Sequence, residues 1–447
     1  MLRNHFRFVC MAAALVLSAS AQQLPDPGVV LRQTAQRLLA DLDRMPRYTC
    51  IQTVTRTYYG STAVFHTPAC STLIAEHNKP KHKLPVQGWD RLRLEVALVD
   101  RQSVYSWVGA SRFSDETLDK LGGNGPIGSG DFGVFLSEVL ERAALTFQRE
   151  QVIDGHRLLE YSYDMPIESS TYRVKTPNGW VRTSYSGTLL LDSAAMDIVK
   201  LTVRTAELPK ESDACQAISE VTYGRASIHD RMVLVPRETQ LSAINTSGDE
   251  SLSQTTFAKC REYTSTVRMI FNDAATSDGP SAAATASPST EHLAELLAEL
   301  PAGLRFDARI VTPIDSDTSA VGDPVEAVLR SPLRDKKKSV IAPAGARLHG
   351  RLRTMRWSEP GHYFQIAVQF ESMEIAGRNV PLTAELYPPR SRMVILDGGQ
   401  YRMAQLKPDK SFIGGSFFFQ NNHLRLKQLD AEWITVSLDT KKDKANK

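Results

Sequence analysis

Two periods of hydrophobicity run along this chain, and they occupy separate stretches. Near the start, "PGVVLRQTAQRLLADLDRMP" repeats Leu31, Ala35, Leu38, Leu39 and Leu42 at helical spacing, which predicts an amphipathic helix ended by Pro46. A second helical stripe, Phe132, Phe135, Leu136, Val139, Leu140 and Ala143, follows a glycine-rich loop in "GGNGPIGSGDFGVFLSEVLERAALTF". Most of the remainder alternates with period two. In "RLRLEVALVD", Leu92, Leu94, Val96 and Leu98 oppose Arg91, Arg93, Glu95 and Ala97. "YTCIQTVTRTYYG", "GTLLLDSAAMDIVKLTVR" and "RMVLVPRETQLSAI" read the same way. Turn signals such as Asp154-Gly155 and Pro177-Asn178-Gly179 break these runs every eight to twelve residues or so, as in antiparallel sheets. The fold class expected is mainly β with a few helices. It begins with an unclosed antiparallel β-barrel covered by helices and ends with a small β-barrel or sandwich.

Composition divides the 447 residues. Arg3 and Arg7, an apolar run from Phe8 to Leu17, and Ala19-Ser20-Ala21 form a secretory signal over residues 1–21. That run is about half the ~20 residues that span a bilayer. A half-barrel domain is expected over 28–272 and an Ala/Ser/Pro-rich linker with a short helix over 273–301. A β-domain over 302–438 and a charged tail over 439–447 complete the division. No later stretch reads as a membrane span, so an exported protein is expected, periplasmic or extracellular and outer-membrane associated. Without Arg3 and Arg7 the 53 Lys and Arg become 51 against 50 Asp and Glu, a balance of about +1. That gives no general pull toward nucleic acid.

Four cysteines lie beyond the signal: Cys50, Cys70, Cys215 and Cys260. An even count in an oxidising compartment implies two disulfides. Three pairings are possible. Neighbouring strand-like runs favour Cys50–Cys70 with Cys215–Cys260.

Recognisable catalytic patterns fail on context. "GNGPIG" at 123–128 lacks the strand and βαβ unit of a nucleotide fingerprint. "DFG" at 131–133 has no kinase surroundings and reads as Asp131 capping the next helix. His292 and Glu295 lack a second histidine on the same helical face. No catalytic residue, cofactor site or metal site is expected. Lys336-Lys337-Lys338 reads as a solvated hairpin tip. "VIAPAGARLHG" at 340–350 reads as a corner between strands, with Pro343 fixing one backbone angle and Gly345 supplying positive φ.

The order of these elements resembles the lipoprotein-sorting superfamily, which includes LolA-, LolB- and RseB-like proteins. The resemblance spans about residues 28–272. It is carried by the opening helix, the strands from "YTCIQTVTR", the inserted helix, and the pairs "YSGTLLLDSAAMDIVKLTVR" and "VTYGRASIHDRMVLVP". It implies an open β-barrel whose concave apolar face holds acyl chains or peptides. Residues 302–388, through "GLRFDARIVTPIDSDTS", "VIAPAGARLHGRL" and "YFQIAVQFESMEIAGRNVPLTAEL", resemble the β-domain of TrbI-type conjugation-channel proteins. Together they imply a non-enzymatic envelope protein that binds a lipid-like or apolar peptide ligand. A structural adaptor docking to another envelope protein is the alternative, and an enzyme of unknown class the third. Aromatic residues on the strands, Tyr58, Tyr105, Trp107, Tyr161, Tyr163 and Trp180, are the candidate ligand lining.

Overall fold

The computed structural model describes residues 26–60, 68–99, 102–110, 134–263, 300–389, 391–395, 401–405 and 413–437, with isolated positions 113, 121 and 127. The signal segment, the glycine-rich loop, most of the linker and the charged tail lie outside them. Among the described residues, no helix is long and apolar enough to cross a membrane.

The first helix, α1 (Pro27–Asp43), starts where local chemistry favours it. Asp26 caps it by accepting from the Val29 N–H at 3.1 Å, and Pro27 occupies the first turn. Its buried stripe is Val30, Thr34 and Leu38. Then come β1 (Tyr48–Tyr59), α2 (Cys70–His77), β2 (Val86–Val99), β3 (Gln102–Trp107) and α3 (Val134–Arg142). The strands β4 (Thr146–Ile153), β5 (His156–Met165), β6 (Arg173–Thr176), β7 (Gly179–Arg182), β8 (Tyr185–Asp192) and β9 (Asp197–Thr205) follow. The long strands β10 (Ala214–Ile228), β11 (Arg231–Asn245) and β12 (Glu250–Glu262) end this half.

These strands form one antiparallel sheet in the order β3–β2–β1–β12–β11–β10–β9–β8–β5–β4. The end strands β3 and β4 do not pair with each other, so the barrel is open. β6 and β7 make a separate hairpin. Alternation does what the sequence predicts. Cys50, Val54, Leu92, Leu94 and Val96 point into one core with Val235 and Phe257. A second core joins Val30 and Leu38 of α1, Leu136 and Val139 of α3, and Leu159, Leu189 and Leu201 of the sheet.

The C-terminal half contains β13 (Arg305–Ile310), β14 (Ile314–Asp315), β15 (Pro324–Leu329), β16 (Leu333–Arg334), β17 (Val340–Ala342), β18 (Arg347–Ser358) and β19 (Tyr363–Ile375). It continues with β20 (Arg378–Pro381), β21 (Ala384–Leu386), β22 (Ser391–Ile395), β23 (Tyr401–Gln405), β24 (Gly415–Gln420), β25 (Arg425–Leu426) and β26 (Leu429–Thr435). Pairing runs β21–β26–β13–β15–β18–β19–β20. β20 and β21 follow one another on one stretch of chain, so the sheet curls around a single core. Trp433 fills it against Phe370, with ring centroids 4.6 Å apart, and against Phe417. The expected corner is there: Gly345 has φ +84° and donates its N–H to the Leu329 carbonyl at 2.8 Å. Lys336, Lys337 and Lys338 sit at the exposed turn between β16 and β17.

The two halves share one sheet. The outer edge of β2 pairs with β3 over Leu94–Val99 and with β18 over Gly88–Asp90. Between them the Val321 backbone bonds the Arg91 carbonyl and the Arg93 N–H, both at 2.8 Å. An otherwise free sheet edge is thereby covered along nearly its whole length.

Candidate functional site

The inner face of the open sheet is aromatic. Tyr161, Tyr163, Tyr185 and Tyr223 are buried there beneath α1 and α3. Tyr161 donates its hydroxyl to the Pro27 carbonyl at 2.7 Å, which ties the sheet to the start of α1. Tyr163 donates to the Thr202 carbonyl at 2.6 Å. Burial, reinforced by the Asp26 charge, pushes the Tyr161 hydroxyl up to about 12; burial also raises Tyr163 and Tyr185. These hydroxyls stay neutral, as an apolar face requires.

A narrow apolar cleft opens where α1 and α3 meet β10 and β11. Leu38, Leu42, Met45, Leu136, Leu234 and Pro236 line it, and Asp41 is its one charged residue. Close by, Glu138 of α3 is buried and accepts from the Thr171 N–H at 2.7 Å and from the Thr171 hydroxyl. That carboxylate pins the 166–172 loop to α3. The helical pattern marked its neighbours but not Glu138, because its partner Thr171 lies 33 residues away.

The six aromatic candidates do not share one surface. Tyr161 and Tyr163 belong to the core under the helices, and Tyr105 to the core beside β2. Tyr58 lies near the end of β1, donating to Asp90 at 3.2 Å with Arg356 of β18 over its ring at 6.0 Å. Its hydroxyl is pushed up to about 12, chiefly by burial and then by Asp90. Trp107 lies under Arg353, 4.9 Å from the ring centre, at the junction of the two halves. Trp180 on the β6–β7 hairpin is 63% exposed.

The junction holds a cleft of about 780 Å³, lined by residues including Ile51, Arg93, Glu95, Arg261, Pro313 and Asp323. Four of its charged side chains are paired. Arg93 Nη1 meets both Asp323 oxygens at 2.6 and 2.7 Å, and Arg261 meets Glu95 at 2.6 Å. Paired charges suit a cleft that holds two halves together better than one that receives an acyl chain.

All four cysteines are bonded, with a connectivity different from the one favoured above. The bridges are Cys50–Cys260 and Cys70–Cys215. The physical reason is topological: β12 returns to pair with β1, and a bulge between Thr49 and Ile51 sets Cys50 against Cys260. Cys70 opens α2, a helix that the sequence pattern did not mark, and this places it against Cys215 at the start of β10.

The second bridge fixes a cluster of another kind. His77 ends α2, His82 follows in the next loop, and Glu250 opens β12. His82 Nε2 is 2.7 Å from Glu250 Oε1, and His77 Nδ1 is 3.0 Å from Glu250 Oε2. Burial alone would raise the Glu250 carboxyl, but His77 and His82 outweigh it and hold it below the usual carboxylate range. No spacing rule reaches this cluster, since 168 residues separate His82 from Glu250.

Fold and faces define a class: an open, helix-covered antiparallel half-barrel joined to a second β-domain with its own core. No family model matches the chain, and no curated protein matches it. Among solved structures, it is similar to a LolA superfamily protein from Nitrosomonas europaea, with 10% identity over 52% of this chain and 94% of that one, at a TM-score of 0.25. A DUF1329 family protein from Desulfovibrio piger matches at 8% identity over 53% and 93%, TM-score 0.25. A domain from Vibrio parahaemolyticus, named for outer-membrane lipoprotein sorting, matches at 10% over 52% and 92%, TM-score 0.25.

Proposed function

We propose that this chain is a non-enzymatic exported envelope protein that binds a lipid-like or apolar peptide ligand on the inner face of its half-barrel. The observation that carries this reading is the construction of that face. It is apolar and tyrosine-rich, the sheet around it is open between β3 and β4, and two amphipathic helices cover it. A ligand entering the cleft at Leu42 and Leu234 replaces helix contacts with its own chain, burying apolar surface at about 25 cal/mol per Å². The Tyr161 and Tyr163 hydroxyls, already bonded to the Pro27 and Thr202 carbonyls, present no unsatisfied polar group to it. The C-terminal β-domain then serves as a docking module.

Native mass spectrometry of the protein taken from the envelope tests this. The expected result is a lipid- or peptide-sized adduct that denaturation removes and that Leu234→Trp, filling the cleft, reduces at least tenfold. A clean ligand-free mass, or an adduct that Leu234→Trp leaves untouched, overturns it. One observation favours the adaptor reading instead. Among the described residues the outer edge of β4 has no partner strand, and Phe147, Val152 and Ile153 are exposed along it, a surface suited to strand addition by another protein. In-cell crosslinking from β4 that returns one reproducible protein supports that second reading.

A further inference from the structure

We propose that His77, His82 and Glu250 form a binding site for a divalent first-row transition metal of the zinc class. The donor set is two imidazole nitrogens and a carboxylate, the ligand chemistry such ions take. The three ligand atoms all lie within 4.8 Å of one another. Ligands about 2.0–2.1 Å from a tetrahedral ion stand roughly 3.4 Å apart, so small movements admit one.

The three side chains do not satisfy one another fully. His77 Nδ1 is buried and close to Glu250, yet it has no partner in hydrogen-bond geometry. The side chains retain only 22%, 19% and 12% exposure for His77, His82 and Glu250. A dication held by two neutral rings and the carboxylate uses every donor. The rings stand 5.7 Å apart at 61°, an edge-on pairing compatible with two ligands of one ion.

The ligands are also pre-positioned. Cys70–Cys215 anchors the start of α2, and the His82 N–H closes a turn onto the Lys79 carbonyl at 3.0 Å. Asn78 bonds back to the Ile74 carbonyl at 2.8 Å. The other candidate cluster, Asp315, Asp317 and His423, is more exposed, and Arg425 already faces both of its carboxylates. Three protein ligands leave positions for water. The ion would join α2 and its following loop to β12, a second clamp beside the disulfide.

The test uses the full chain with its disulfides intact, stripped with chelator and titrated with ZnCl₂ and CoCl₂. One Zn²⁺ per chain by native mass spectrometry is expected, with cobalt absorption bands of a low-coordinate nitrogen–oxygen site. His82→Gln and Glu250→Gln should each weaken binding at least tenfold with unchanged far-ultraviolet circular dichroism. His229→Gln, an exposed histidine paired with Asp230 and Glu262, should bind like the parent. Absence of stoichiometric binding, or affinity unchanged in both ligand variants, overturns the site. If a variant fails to fold, the presence or absence of the cobalt bands in the parent decides.

Discussion

Cys50 and Cys260 stand 210 positions apart in sequence and touch because β12 comes home to β1. A bridge closing so long a loop removes much freedom from the unfolded chain, and typical native bridges contribute about 2–4 kcal/mol. Peptide mapping of unreduced protein should therefore recover Cys50 linked to Cys260 and Cys70 linked to Cys215. Replacing Cys50 and Cys260 together by alanine should lower the melting temperature by several degrees; a Cys50–Cys70 peptide would sink this connectivity. Residue-level features were legible wherever their cause was local. Pro343 and Gly345 make their corner from their own backbone preferences, and Asp154 and Gly155 take positive φ at the β4–β5 turn as the pair predicts. The cysteine count was equally readable. The pairing was not, because it depends on strand order, which no short window encodes. The convergence of His77 and His82 on Glu250 was hidden for the same reason.

At the scale of elements, period did most of the work. Alternation in β2 and β5 and the helical stripes of α1 and α3 carry over into buried faces. The buried positions of α1 shift slightly toward Val30 and Thr34. The eight-residue α2 escaped because it buries none of its own side chains and so has no stripe to show. The element that most defines the candidate site is the tyrosine face. Burial raises Tyr161, Tyr163, Tyr172 and Tyr185 above the ordinary phenol value. A group whose folded value is raised contributes stability that is whole below its unfolded value, about 10, and that disappears as pH climbs through the folded one. For Tyr161 that upper bound is about 12. Absorbance at 295 nm should thus show the buried tyrosines ionising together, above pH 10, in step with loss of circular dichroism. Stepwise ionisation near pH 10 with the dichroism intact would show that this face is wet.

The whole molecule is held by an exchange across the junction that neither half's sequence announces. Trp89 of β2 packs on the C-terminal core, edge-on to Phe364 at 5.7 Å, while Val321 of the C-terminal half packs on the core beside β2. Two glycines make the approach possible. A Cβ at Gly88 would lie 2.5 Å from the Trp357 carbonyl oxygen, and one at Gly322 2.4 Å from the Arg93 carbonyl oxygen. Gly322 also has φ +97°, which side-chain-bearing residues rarely adopt. Arg93 adds charge-assisted bonds to Asp323 and a bond to the Thr318 carbonyl at 2.8 Å. Removing Arg93 leaves Asp323 partly buried without its cation, a cost of about 1–3 kcal/mol. All these contacts belong to the junction, so Gly88→Val and Arg93→Met should separate the halves without unfolding either. Calorimetry should then resolve one melting transition of the parent into two, and small-angle scattering should report a larger radius of gyration. A single transition at the parent temperature with unchanged dimensions would mean that the shared sheet contributes little. If the C-terminal β-domain does present the half-barrel to another envelope protein, the same two variants should reduce that capture while leaving the inner-face adduct in place.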